Sequence, residues 1–120
     1  MLKVRWMTFV AVCAALLTAN TVLARDEAAL IVLGQAVFLE QSKGNCIACH
    51  AISDPQAQLA GNQGPPIFNM KLRYPDKRLL RAQVWDATRN NPLTLMPPFG
   101  KHWILSEHEI DAVVEYIYQY

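Results

Sequence analysis

A small all-α domain is the fold that the sequence predicts, and three observations lead there. Two stretches, one early in the chain and one at its end, repeat apolar residues at helical spacing. Nowhere do apolar and polar residues alternate convincingly over a strand's length. Pro, Gly, Asn and Gln instead gather in the middle of the chain, where loops have to connect the helices.

The chain opens with Met1-Leu2-Lys3-Val4-Arg5, two positive charges ahead of an apolar run from Trp6 to Leu17, which is the pattern of an export signal. Val22-Leu23-Ala24 offers a small-x-small type cleavage site, so the expected division is a signal peptide over 1–24 and one domain over 25–120. An uncleaved anchor is the alternative, because Trp6 to Ala24 nearly reaches membrane-spanning length, but Thr18, Asn20 and Thr21 interrupt it. Cys13 lies inside the apolar run and leaves with it as a small filler. A lipid-attached cysteine wants a small residue just before it, and Val12 stands there. Export puts the mature chain in the periplasm, with no membrane association after cleavage.

Removing Lys3 and Arg5 leaves 9 basic residues against 10 acidic ones. That balance argues against a nucleic-acid-binding protein, which needs a strongly basic surface. A mature chain of 96 residues holds one domain. Such a domain is marginal without a staple, so a large apolar group held covalently in its centre would supply much of the core.

The first mature helix is expected from about Asp26 to Gln41. Leu30, Leu33, Gly34, Val37 and Phe38 form its apolar face, and Asp26 and Glu27 suit the positive end of its dipole. Gly34 in mid-helix costs about 1 kcal/mol relative to alanine, which predicts another element approaching closely there. Ser42 to Asn45 ends the helix, with Gly44 available for the positive φ of a sharp turn. A loop follows from Ile52 to Met70, with Gly61-Asn62-Gln63-Gly64-Pro65-Pro66 as its rigid knot. Lys71 to Arg89 forms the next unit, with Pro75 suiting a first helical turn, Asp76 at the helix start, Leu80, Val84 and Ala87 facing inward, and Lys77, Arg78, Arg81 and Arg89 on a solvated face. Ser106 to Tyr120 closes the chain as an amphipathic helix. Ser106 and Glu109 make a capping box, and Ile110, Val113, Val114 and Ile117 give the face that meets the Gly34/Phe38 crossing.

The chemistry is carried by Cys46-Ile47-Ala48-Cys49-His50. Two thiols one helical turn apart can reach the two vinyl groups of a haem and form thioethers. The histidine that follows can give one ring nitrogen to the iron while the other is fixed by a hydrogen bond. Other readings fit less well. A Cys46–Cys49 disulfide closes a very small loop and leaves His50 unexplained. A thioredoxin-like pair expects a βαβ surround. A structural zinc site lacks a second cysteine pair, and the remaining histidines are His102 and His108. One haem c, covalently bound through Cys46 and Cys49 with His50 as proximal ligand, is therefore expected. The Pro65 carbonyl is the candidate acceptor for the non-ligating nitrogen of His50. Met96, in the rigid stretch Leu93 to Gly100, is the candidate distal ligand, since a thioether is soft and neutral and favours reduced iron. Its competitors are Met70, His102 and His108. With both axial positions filled, the chain needs no catalytic group of its own and suits electron transfer.

These residues together resemble a class I cytochrome c over nearly the whole mature chain: a helix with Gly34 and an aromatic residue, Cys46-x-x-Cys49-His50, Gly64-Pro65, Met96-Pro97, and a last helix with Tyr116. Gly44 to Ile52, the Gly61 to Pro65 turn, and Asn91-Pro92-x-Thr94-x-Met96-Pro97-Pro98-Phe99-Gly100 more closely resemble the sulfur-oxidation mono-haem cytochrome family SoxX. That resemblance implies a small class I cytochrome c fold, helices packed around one covalently bound haem. It makes Cys46 and Cys49 the attachments and His50 and Met96 the axial ligands. It also implies pairing with a larger SoxA-like cytochrome, the pair conjugating thiosulfate oxidatively to a carrier-protein cysteine as an L-cysteine S-thiosulfotransferase. The chemistry on sulfur would belong to the partner's haem, and this subunit would pass electrons to a soluble cytochrome. A freely diffusing periplasmic carrier is the alternative, distinguished by a smaller apolar surface beside the haem. An enzyme or gas sensor would require Met96 to leave the iron open.

Overall fold

Helices meet here at a glycine. In this computed structural model, which describes residues 25–120, helix α1 covers 25–39, and the export signal and cleavage site expected over 1–24 lie outside the described residues. The last helix, α4, is Glu107–Ile117. A Cβ on Gly34 would lie 2.0 Å from the Ala112 carbonyl oxygen and 2.7 Å from the Tyr116 Cβ, so only glycine lets α1 and α4 cross this closely. Phe38, one turn on, sets its ring edge-on to Tyr116 at 5.5 Å. The crossing is the one the sequence predicts, and Val37, Phe38, Ile110, Val113, Val114, Tyr116 and Ile117 are all buried around it. Ser106 caps α4 with both bonds of the capping box: Glu109 N donates to the Ser106 hydroxyl, and Ser106 N donates to the Glu109 carboxylate at 2.9 Å.

The unit expected over 71–89 is two helices and a turn. Helix α2 is Met70–Arg73 and helix α3 is Lys77–Trp85, followed by a 3-10 turn at Ala87–Arg89. Tyr74 breaks the run because it precedes Pro75, whose ring crowds a helical conformation in the residue before it; its φ is −130° and ψ 73°. Pro75 thus lies outside the helix. Asp76, expected at the helix start, caps α3, its carboxylate accepting from Arg78 N at 3.0 Å. The positive φ expected at Gly44 falls on its neighbour Asn45, at 44°. Gly44 serves by its size, since a Cβ there would meet the Val37 carbonyl at 2.9 Å and the Cys46 sulfur at 3.1 Å.

Helices α3 and α4 are laced by charge. Lys77 pairs with Glu115 at 2.7 Å, and Arg81 with Asp111 at 2.6 Å and with Glu107. The acids recur every fourth residue on α4, opposite cations that are also four apart on α3, so each row presents one face. The solvated basic face expected there is in good part an ion-paired seam, with Arg78 turned back onto Asp76 at 2.8 Å. Among the described residues no strand forms, and Ile52 and Ile67 make one isolated parallel bridge. No helix of the described residues is long and apolar enough to cross a membrane.

Candidate functional site

Asn45, in the left-handed region, turns the chain out of α1 and into a 3-10 turn, Cys46–Ala48. The Cys46 carbonyl accepts from Cys49 N at 3.1 Å and His50 N at 2.9 Å, so the five residues from Cys46 to His50 are wound into a single compact turn. Both cysteines are free thiols. Burial pushes the Cys46 thiol up to about 12, the reverse of what a thioredoxin-type nucleophile needs.

The proline-glycine knot runs beside this turn as a second rail. Gly61 N donates to the Ile47 carbonyl at 2.8 Å, Gly64 N to the Cys49 carbonyl at 2.8 Å, and Ile67 N to the Ala51 carbonyl at 2.7 Å. Two glycines make the approach possible. A Cβ on Gly61 would sit 1.8 Å from the Ala48 carbonyl oxygen, and one on Gly64 would sit 2.4 Å from Cε1 of the His50 ring. The rail carries the Pro65 carbonyl to 2.7 Å from His50 Nδ1. A carbonyl oxygen only accepts, so Nδ1 holds the ring proton and donates it, leaving Nε2 as the lone-pair nitrogen. One residue on, the Pro66 carbonyl accepts from the Arg73 guanidinium at 3.0 Å, which also lies over the Phe68 ring.

Asp54 anchors the far end of the same loop. Its carboxylate accepts from the Tyr116 hydroxyl at 2.6 Å, the Tyr120 hydroxyl at 3.1 Å, Gln35 at 2.7 Å and Gln56 N at 2.7 Å. Hydrogen bonds, that from Tyr116 foremost, hold the carboxyl down to about 2 although burial opposes them. Loop, α1 and the C-terminal helix are thereby tied at one anion.

Met96 stands in a separate loop between the Ala87–Arg89 turn and α4. Its backbone N donates to the Thr94 hydroxyl at 3.1 Å, and its side chain is half-buried, packed on the same apolar cluster as Cys46 and Ile47. Leu93 and Leu95, alternating with Thr94 and Met96, are 90% and 86% exposed. Of the competitors, Met70 is 2% exposed in the core, and its N donates to the Tyr120 carbonyl at 2.9 Å, the position of a packing residue. His102 and His108 are exposed. The structure thus brings Cys46, Cys49, His50 and Pro65 into one unit and places Met96 on its own loop.

These residues suit a haem. A ring nitrogen is oriented by a main-chain acceptor with its partner nitrogen left for a metal, two free thiols precede it at one-turn spacing, and a soft thioether sits half-exposed in a proline-braced loop. Residues 31–117 match the family described as cytochrome C oxidase, cbb3-type, subunit III. The chain belongs to this family of c-type cytochrome domains. As a c-type cytochrome it binds haem, and the role that goes with the family is electron transfer. It is also similar to an uncharacterized lipoprotein of Aquifex aeolicus (strain VF5), at 32% identity over 76 residues. The aligned part is 63% of this chain and 36% of that protein, so the cytochrome spans about a third of the relative's length.

Asp54 and Arg73 are site residues that sequence reasoning passed over. A signal for Asp54 did exist: Tyr116 and Tyr120 lie one helical turn apart beside a core, and buried phenol hydroxyls need an acceptor.

Proposed function

We propose that this c-type cytochrome is an exported mono-haem electron-transfer subunit, its haem attached through Cys46 and Cys49 and ligated by His50 and Met96. Haem supplies the one-electron iron couple. The chain supplies the rest: His50 presents Nε2 because Pro65 holds Nδ1, Gly64 leaves room for the ring, and the Met96 thioether favours the reduced state. The observation that carries this reading is the 2.7 Å contact from His50 to the Pro65 carbonyl, which orients the imidazole as a ligand.

Within that role, a SoxX-like subunit paired with a larger SoxA-like cytochrome is the finer reading. The motif run from Asn91 to Gly100 supports it, as do Leu93 and Leu95, which put an apolar rim beside Met96 as an obligate interface requires. In such a pair the sulfur chemistry belongs to the partner, and this chain accepts electrons for a soluble acceptor. Two experiments test the reading. Met96→Ala keeps the haem attached and lowers the midpoint potential; an unchanged potential removes Met96 as ligand. Mature protein drawn from its native periplasm at high salt retains a larger c-type cytochrome at one to one; recovery alone makes it a freely diffusing carrier.

A further inference from the structure

The loop that carries Met96 is closed at a narrow neck. At its start, the Ala87 carbonyl accepts from Asn90 N at 3.2 Å and Asn91 N at 3.1 Å. At its end, the Trp85 carbonyl accepts from Gly100 N at 3.1 Å and Lys101 N at 3.3 Å. Gly100 lies flat on the indole, where a Cβ would come within 2.0 Å of the ring. Both ends of the loop are therefore fastened to the carbonyls of Trp85 and Ala87, the residues on either side of Asp86.

Asp86 is the one side chain of the three that reaches both ends. One carboxylate oxygen accepts from Thr88 N at 3.2 Å and from the Thr88 hydroxyl on the incoming side. The other pairs with Lys101 Nζ at 3.1 Å on the outgoing side. Asp86 is 5% exposed and Lys101 reaches it from the solvent side, so the carboxylate is fixed in place while the cation stays half in water. Between the fastened ends Phe99 is buried in the core and Met96 packs against it, while Leu93 and Leu95 face outward and the hydrogen bonds from Asn91 to Pro97 are local turns. Opening the outer part of such a loop, from Asn91 to Pro97, is a local event, and its cost includes whatever the neck contributes.

We propose that Asp86 is a positioning residue for the Met96 thioether: by joining Thr88 to Lys101 it keeps the loop shut, and the Asp86–Lys101 pair sets how often the iron becomes open to an outside ligand. The inference rests on Met96 being the distal ligand. Its sequence cost is small and its reach is long, since Lys101 acts on a residue five positions away through a carboxylate on another element.

The test uses the haem-loaded ferric protein and imidazole as the outside ligand. At high imidazole the observed binding rate levels off at the rate of loop opening, read by stopped-flow as loss of the methionine–iron charge-transfer band. Lys101→Met, which keeps the aliphatic stem on an exposed residue, is expected to raise that limiting rate about five- to tenfold, in line with loss of a partly buried ion pair. Asp86→Asn raises it further, and Lys101→Arg returns it to the wild-type value. A purely structural pair lowers the unfolding midpoint of Lys101→Met and leaves the limiting rate unchanged, and that result overturns the inference while Met96 stands as ligand. A wild-type protein with no charge-transfer band overturns the Met96 assignment and the inference with it.

Discussion

At the scale of single residues, space decides more than charge. Gly64 is the clearest case, because a Cβ would enter the His50 ring. Gly64→Ala must push the imidazole off the Pro65 carbonyl or lift the loop. The expected outcome is a several-fold loss of haem per polypeptide, read from haem absorbance against protein mass, with the remaining fraction shifted in midpoint potential. Asp54 shows what charge does when it is buried. Its folded carboxyl titrates at about 2, below the ordinary value of 3.8, so the folded state binds its proton less readily than the unfolded chain. The stabilisation is complete above about pH 4 and is lost as pH falls towards 2. Asp54→Asn should be less stable than wild type at pH 6 and converge with it near pH 2, in urea midpoints taken across that range.

Elements were legible in the sequence where one periodicity or one cap governed them. The Ser106–Glu109 box and the Ile110, Val113, Val114, Ile117 face are both found as read. Gly34 was legible as a crossing because glycine is out of place in a helix for any reason but room or φ. What failed were interruptions and pairings across elements. Tyr74 ends a short α2 through the proline that follows it, a separate turn of helix ahead of the inward face read from Leu80, Val84 and Ala87. Lys77 and Arg81 read as solvated because their partners on α4 are 38 and 30 residues away. Asp86 was invisible for the same reason, since a carboxylate in a loop announces nothing until its donors fold around it, and Asp54 was signalled only indirectly, by the two tyrosines that need an acceptor. Gly34→Ala tests the element scale directly. With the Ala112 carbonyl 2.0 Å from the new atom, α1 and α4 must part, and a loss of about 1–3 kcal/mol is expected by denaturant unfolding of the haem-loaded protein.

The whole molecule is a set of short elements draped around what its family says it carries. Helix α2 has four residues and α3 nine, too short to be stable alone. Cys46, Ile47 and Met96 lean on the apolar cluster only in part, as the lining of a haem site would. The double variant Cys46→Ala, Cys49→Ala, which cannot form thioethers, is therefore expected to lose most of its cooperative thermal transition and to bind a hydrophobic dye; a sharp transition without haem would mean that the protein core suffices. The polar groups are better provided for: among the described residues no buried side-chain nitrogen or oxygen lacks a hydrogen-bond partner.

The acceptor that orients His50 belongs to the main chain. A peptide carbonyl has no proton to gain or lose over the range in which proteins live, whereas a carboxylate in its place would titrate and would draw the ring towards imidazolate as it did so. With His50 as the ligand proposed above, the electron affinity of the site would be insulated from pH at this support. No side-chain substitution removes that oxygen either, so in the centre proposed above retuning would fall to Met96 and its loop while the histidine side stays fixed.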